Sequence, residues 1–282
     1  MTELGRASER ALADAGETPA STAMARGARS GGDASLWWRL ASIAMVCGAW
    51  EVAGRIPINY AFPPFSETAL AFARLIADGS LPRAYISTLQ PLVLGIAISA
   101  GLGVAIGVTM GLRRGVEWLG APVFIVLQSA PVAALIPLIT FMYGIGLTAK
   151  TLAVCVMALP VIVLNSYKAV RNVSPSLIDM ARVFLGSRWQ QIVKIVLPDA
   201  SPVIFAGLRL GVAAGFIGVV LAELLITPTG IGDLITYHRS VADYAEMYAV
   251  IASIILFSAV TLAVLQRIEI ALFRPEKLER GA

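Results

Sequence analysis

The segment DMARVFLGSRWQQIVKIVLP, Asp179 to Pro198, is a polar, basic insert in an otherwise membrane-like chain. The stretch from Lys168 to Pro198 is too polar to cross a bilayer and too apolar for a plain solvated linker. Ser174 and Pro175 read as the N-cap and first turn of a short helix. Met180, Phe184 and Leu185 fall at helical spacing on one face of it. Gly186 and Ser187 break that helix, and Arg188 to Val196 forms a second one that Pro198 ends. Two short helices at an angle make a compact knob with one apolar face and basic flanks. Such a knob suits insertion into a groove on a partner. The same pattern also fits a folded loop that covers the end of a helix bundle.

Working outward, composition sets the class. The chain has 282 residues, of which 57% are hydrophobic and only 14% charged. Soluble domains carry about 25% charged residues, so a surface of this kind needs lipid to cover it. The net charge of +4 is small and its basic residues are scattered, which leaves no stripe for nucleic acid. Cys47 and Cys155 lie in separate apolar runs and read as packed core residues rather than a disulfide. Residues 1–35 are rich in Ala, Gly, Ser and Thr and hold no apolar stretch. With no h-region there, they read as a disordered tail rather than a signal peptide.

Six apolar runs of about the 20 residues that a bilayer requires follow this tail: 37–56, 86–112, 119–142, 148–168, 202–226 and 247–271. The expected architecture is an all-α polytopic membrane protein. A permease domain at 36–272 contains the knob at 171–198, and a tail at 273–282 follows. Pro131 and Pro137 are expected to break the third run, and Pro160 the fourth. The segment from Phe62 through Pro63, Pro64, Phe65 and Ser66 is expected to start a short amphipathic surface helix at Ser66. With the N-terminus inside, seventeen of the 22 Lys and Arg residues fall on the inner side and five on the outer. Positive charge belongs inside, so both termini and the 179–198 loop are expected in the cytoplasm.

Polar side chains at membrane depth are costly and tend to mark function. Gln128 and Ser129 precede Pro131, where backbone groups are freed from helix bonding; irregular backbone at that depth is tolerated only against protein or a water-filled cavity. These three residues are therefore candidates for a solute pathway, with helix–helix hydrogen bonding as the other reading. Glu223, near the outer end of its run, lines or gates that pathway or pairs with a basic neighbour. Arg209 is read as snorkelling, and His238 as a solvated loop residue. Gly95, Ser99, Gly103, Gly107 and Gly111 recur every four residues, as do Gly207, Gly211 and Gly215. Small residues at this spacing allow close helix contact, within the chain or across a dimer. Gly144 to Thr151 nearly spells a phosphate-binding loop, but it joins two apolar runs rather than following a strand in a soluble domain. No metal, nucleophile or cofactor motif is found.

The Asp179–Pro198 stretch resembles the coupling loop of ABC importer permeases, whose pattern runs Glu-Ala-Ala, three residues, Gly, nine residues, then Ile-x-Leu-Pro. Asp179, Met180 and Ala181 fill the first places, and Ile195, Leu197 and Pro198 the last. Leu185 stands where the family glycine does and Gly186 follows it, so the turn is expected one residue late. Trp50-Glu51, the Phe62–Ser66 segment, Ser129–Leu138 with Tyr143–Gly146, Gly207–Gly211, Ala222–Leu224 and Thr229–Ile235 resemble the nitrate/sulfonate/taurine branch of these permeases.

The resemblance covers about residues 48–270. It implies the transmembrane permease subunit of a type I, binding-protein-dependent importer of a small solute in the inner membrane. It implies a homodimer working with two copies of a separate ATPase and an extracytoplasmic substrate-binding protein. Asp179, Met180, Ala181, Phe184, Leu185, Gly186, Ser187 and Pro198 are then the coupling residues. No catalysis, cofactor or metal is implied on this chain. The competing reading is an ATPase-independent secondary transporter or channel, which would need no docking knob and usually shows ionisable residues deep in its spans or an internal repeat.

Overall fold

The computed structural model describes residues 31–56, 61–226 and 228–273, and the helices are numbered here in chain order. They are α1 (Gly31–Arg55), α2 (Phe65–Ala77), α3 (Ser80–Leu112), α4 (Arg114–Ser129), α5 (Val132–Tyr143) and α6 (Leu147–Arg171). There follow α7 (Pro175–Val183), α8 (Arg188–Gln191), α9 (Leu197–Leu225), α10 (Ile231–Ser240) and α11 (Tyr244–Phe273). A π-helical turn at Ile192–Val196 joins α8 to α9. Among the described residues there is no strand. The tail expectations for 1–30 and 274–282 lie outside the described residues; α1 begins at Gly31, a few positions before the expected boundary.

The chain divides into two units, residues 1–66 and 67–282. In the first, Trp50 and Glu51 hold the turn that follows α1. The Trp50 indole donates to the Pro63 carbonyl at 3.1 Å and lies against Phe62 and Phe65. Glu51 accepts the Ser66 backbone N–H at 2.9 Å and its hydroxyl at 3.0 Å. A carboxylate from α1 thus satisfies a free N–H at the start of α2. The helix begins at Phe65 rather than Ser66. Gly54 permits this approach, since a Cβ there would overlap the backbone of Pro64.

In the second unit α6 is the central helix, and both glycine stripes close on it. A Cβ on Gly103 would stand 2.8 Å from Ile162, one on Gly107 2.6 Å from Ser166, and one on Gly111 2.6 Å from Val170. From the other side, Gly207 faces Asn165 and Gly211 faces Ile162. The small residues therefore serve contacts within the chain, bringing α3 and α9 against α6. Val154, Ala158, Ile162 and Val163 of α6 are fully buried as a result. Pro160 lies inside α6 without breaking it, and Pro137 lies inside α5. Only Pro131 interrupts a run: α4 and α5 meet there at 97°. The α2 helix buries Thr68, Ala71 and Leu75, the latter two in a cluster with Leu81, Ile231 and Val250. It is half embedded rather than only resting on a surface.

Among the described residues four helices are long and apolar enough to cross a membrane, counting Arg188–Leu225 as one, and the α4–α5 pair makes a fifth if it is one span. Helix α1 is not among them. Exposed Phe141, Trp118, Leu119 and Ile255 show how much apolar surface is left for lipid or a partner to cover. Cys47 and Cys155 are free and partly buried. Arg209 is ion-paired to Glu269 of α11 at 3.2 Å rather than snorkelling alone.

Candidate functional site: a docking knob and a buried ion cluster

Residues 172–198 form the knob. Helix α7 starts with Pro175 in its first turn after Ser174. The Ser174 hydroxyl bonds that of Ser176 at 2.7 Å rather than capping the helix. The exit from α7 is a tight reversal: Leu185 N–H donates to Arg182 O and Gly186 N–H to Ala181 O, both at 2.9 Å. That pattern needs a residue in the left-handed region, and the residue is Leu185, at φ 54°. The turn is therefore not displaced to Gly186. Leucine occupies the strained place itself, and Gly186 is needed for space, since a Cβ there would stand 3.0 Å from Ala181 O.

Ser187 then starts α8 with a reciprocal cap. Its hydroxyl accepts the Gln190 N–H at 3.3 Å, and the Gln190 side chain accepts the Ser187 N–H at 2.8 Å. Pro198 does not end this helix. The π turn before it widens the coil, and Leu197 N–H reaches back to Ile192 O. The missing donor and the ring of Pro198 are absorbed, and the helix continues into α9.

The knob presents its apolar side chains outward. Phe184 is 79% exposed, Leu185 92% and Trp189 73%. Met180 is about half exposed, Ala181 is buried, and Pro198 is exposed. Asp179 and Arg182 pair at 3.0 Å on its solvent side.

At the α4–α5 junction Gln128, Ser129 and Pro131 are all exposed. The Ser129 hydroxyl bonds back to Val126 O at 2.9 Å, and Ala130 is extended. The break thus leaves a polar corner on an apolar helix pair.

Glu223 differs from the expectation that it lines an open pathway, since its side chain has no exposed surface. Its Oε1 lies 2.8 Å from Lys150 Nζ, the Thr88 hydroxyl is 2.9 Å from either oxygen, and Gly232 N–H donates to Oε2 at 3.1 Å. Lys150 also donates to Thr229 O at 2.9 Å, and Thr88 accepts the Ile231 N–H at 3.0 Å. This cluster ties α3, α6 and α9 to the loop that enters α10. Gly230 makes room for it at φ 96°, where a Cβ would overlap the Glu223 carboxyl. Lys150 and Thr88 are the members that sequence reading missed. The lysine sits in the near-phosphate-loop segment, and its partner lies 73 residues away. His238 is likewise buried within α10 rather than solvated on a loop. Among the described residues no group of side chains could hold a metal.

Residues 95–273 match the family model described as "Binding-protein-dependent transport system inner membrane component". The chain belongs to this family. It is 31% identical over 220 residues to a putative aliphatic sulfonates transport permease of Bacillus subtilis, covering 77% of this chain and 78% of that one. It is 24% identical over 225 residues to the taurine transport system permease of Escherichia coli, covering 78% and 77% of the two. Among solved structures, an inward-facing methionine ABC transporter matches in fold with a TM-score of 0.56 at 19% identity, over 67% of this chain and 95% of that one. The chain is thus a multi-pass inner-membrane permease subunit of an ABC importer.

Proposed function

We propose that this permease forms the pathway of an importer whose ATP is hydrolysed on a separate ATPase docked at the 175–198 knob. The observation that carries this reading is the outward display of Phe184, Leu185 and Trp189 on a polar loop. Large apolar side chains left bare beside charged ones mark a partner surface. The permease works as a homodimer with two ATPase copies and an extracytoplasmic binding protein. With α1 as the first span and the α4–α5 pair as the third, six spans place both termini and the knob in the cytoplasm, in keeping with the positive charge.

ATP-driven closure of the ATPase pair draws the two knobs together, and rigid-body movement of the helices switches the pathway. Gln128, Ser129 and Pro131 line it. The solute is a small sulfonate or a related compound, by likeness to the sulfonate and taurine permeases.

The test is Asp179→Arg. The exposed pair with Arg182 contributes at most about 1 kcal/mol to the fold, so the permease should still insert and stay monodisperse. The new charge stands beside Arg182 on the exposed surface of the knob. ATPase co-purification should fall and solute uptake should be lost. A variant that assembles and transports normally argues against the docking role.

A further inference from the structure

Between the end of α3, helix α7 and the π turn lies an open cavity of about 1000 Å³. It is two-sided in character. Leu112, Ile178 and the buried Val196 form an apolar wall, while exposed Arg113, Arg182 and Arg188 stand around it. No carboxylate lines the cavity. Asp179 reaches Arg182 alone, and among the described residues no carboxylate lies within ion-pair distance of Arg113 or Arg188. Trp189 stands at the edge of the cavity.

We propose that this cavity binds one anionic phospholipid of the cytoplasmic leaflet. The arginines take the phosphate and the apolar wall takes the glycerol backbone and the start of an acyl chain. Basic pockets between helix ends on this side of a membrane have the chemistry that anionic headgroups require. Guanidinium groups are suited to phosphate. A free phosphate would leave the apolar wall unused, whereas an amphipathic lipid meets both halves. The wall is continuous with the exposed apolar residues of α3, such as Leu102 and Leu112, that lipid covers in any case. The site lies against the knob, so a bound lipid braces α7 through Ile178 and Arg182. The inference rests on the orientation proposed above. Its assay needs neither ATPase nor solute, so its failure is separable from failure of the importer reading.

The test is native mass spectrometry of the permease released from nanodiscs of equal phosphatidylglycerol and phosphatidylcholine. The wild type should retain one phosphatidylglycerol in preference to phosphatidylcholine. Arg113→Gln and Arg188→Gln should each reduce that preference about fivefold, as expected for about 1 kcal/mol per arginine near an anionic surface. Arg114→Gln, which removes a neighbouring charge outside the cavity, should change it less than twofold. Two separate variants keep the test readable if one fails to fold. No preference in the wild type overturns the proposal, as does an equal loss in Arg114→Gln. Displacement of the lipid by millimolar glycerol 3-phosphate would do so too, because it would show a small-anion site.

Discussion

Lys150→Met tests the buried cluster most directly. The ammonium lies 2.8 Å from Glu223 Oε1, and the side chains are 5% and 0% exposed. Removing one partner of a buried pair costs about 3–5 kcal/mol, because the other charge is left unpaired. Here Thr88 and Gly232 still donate to the carboxylate, and exposed Thr229 can turn to water. The lower end, about 3 kcal/mol, is therefore expected. For a domain of this size that corresponds to a drop of roughly 6–12 °C in apparent melting temperature. Lys150→Met/Glu223→Gln removes both charges and should recover most of the loss, leaving a cost of about 1 kcal/mol for the imperfect amide. Thermal unfolding of the four proteins in one detergent completes the cycle. A single variant that melts within 2 °C of wild type would refute the reasoning. So would a double variant as damaged as the two single changes added together.

Leu185→Gly should relieve about 1 kcal/mol of left-handed strain and raise the protease resistance of the knob, yet weaken ATPase co-purification by removing the most exposed apolar residue of the loop; equal or better ATPase recovery would separate Leu185 from docking. Cysteines at Ser187 and Ser240, in a background lacking Cys47 and Cys155, should label from opposite membrane faces with an impermeant reagent, Ser187 from the cytoplasm; labelling of both from one face contradicts the proposed topology. Ser129→Leu fills the polar corner at the helix break, so uptake should fall sharply while ATPase assembly and basal hydrolysis stay near normal. Uptake that falls only in step with assembly would remove Ser129 from the pathway.

Local signals were legible where the chemistry is local. The start of α7 at Pro175, the break at Gly186-Ser187 and the two glycine stripes each follow from residues within one or two turns, although Ser174 does not cap the helix as expected. What the stripes touch was not legible, because both close on α6, a partner distant in sequence. The prolines misled in proportion to their surroundings. Pro160 and Pro137 are held inside packed helices, and Pro198 is accommodated by a π turn that no residue pattern announces. The buried cluster was half visible: Glu223 stood out as an acid in an apolar run. Lys150 lay in the near-phosphate-loop segment with nothing local to mark it, and only the tertiary fold brings the two together.

The twofold clasp on α6 also limits how this protein can move. Glycines pressed to within a Cβ radius of a neighbour leave no room for α3 or α9 to roll about its own axis against α6, since any side chain turned into the contact would meet α6. Helices α3, α6 and α9 therefore travel as a single keel. Any switch of access has to be articulated where the chain is already broken, at the extended Ala130–Pro131 corner and at the short link between Asn172 and Ser174 that carries the knob.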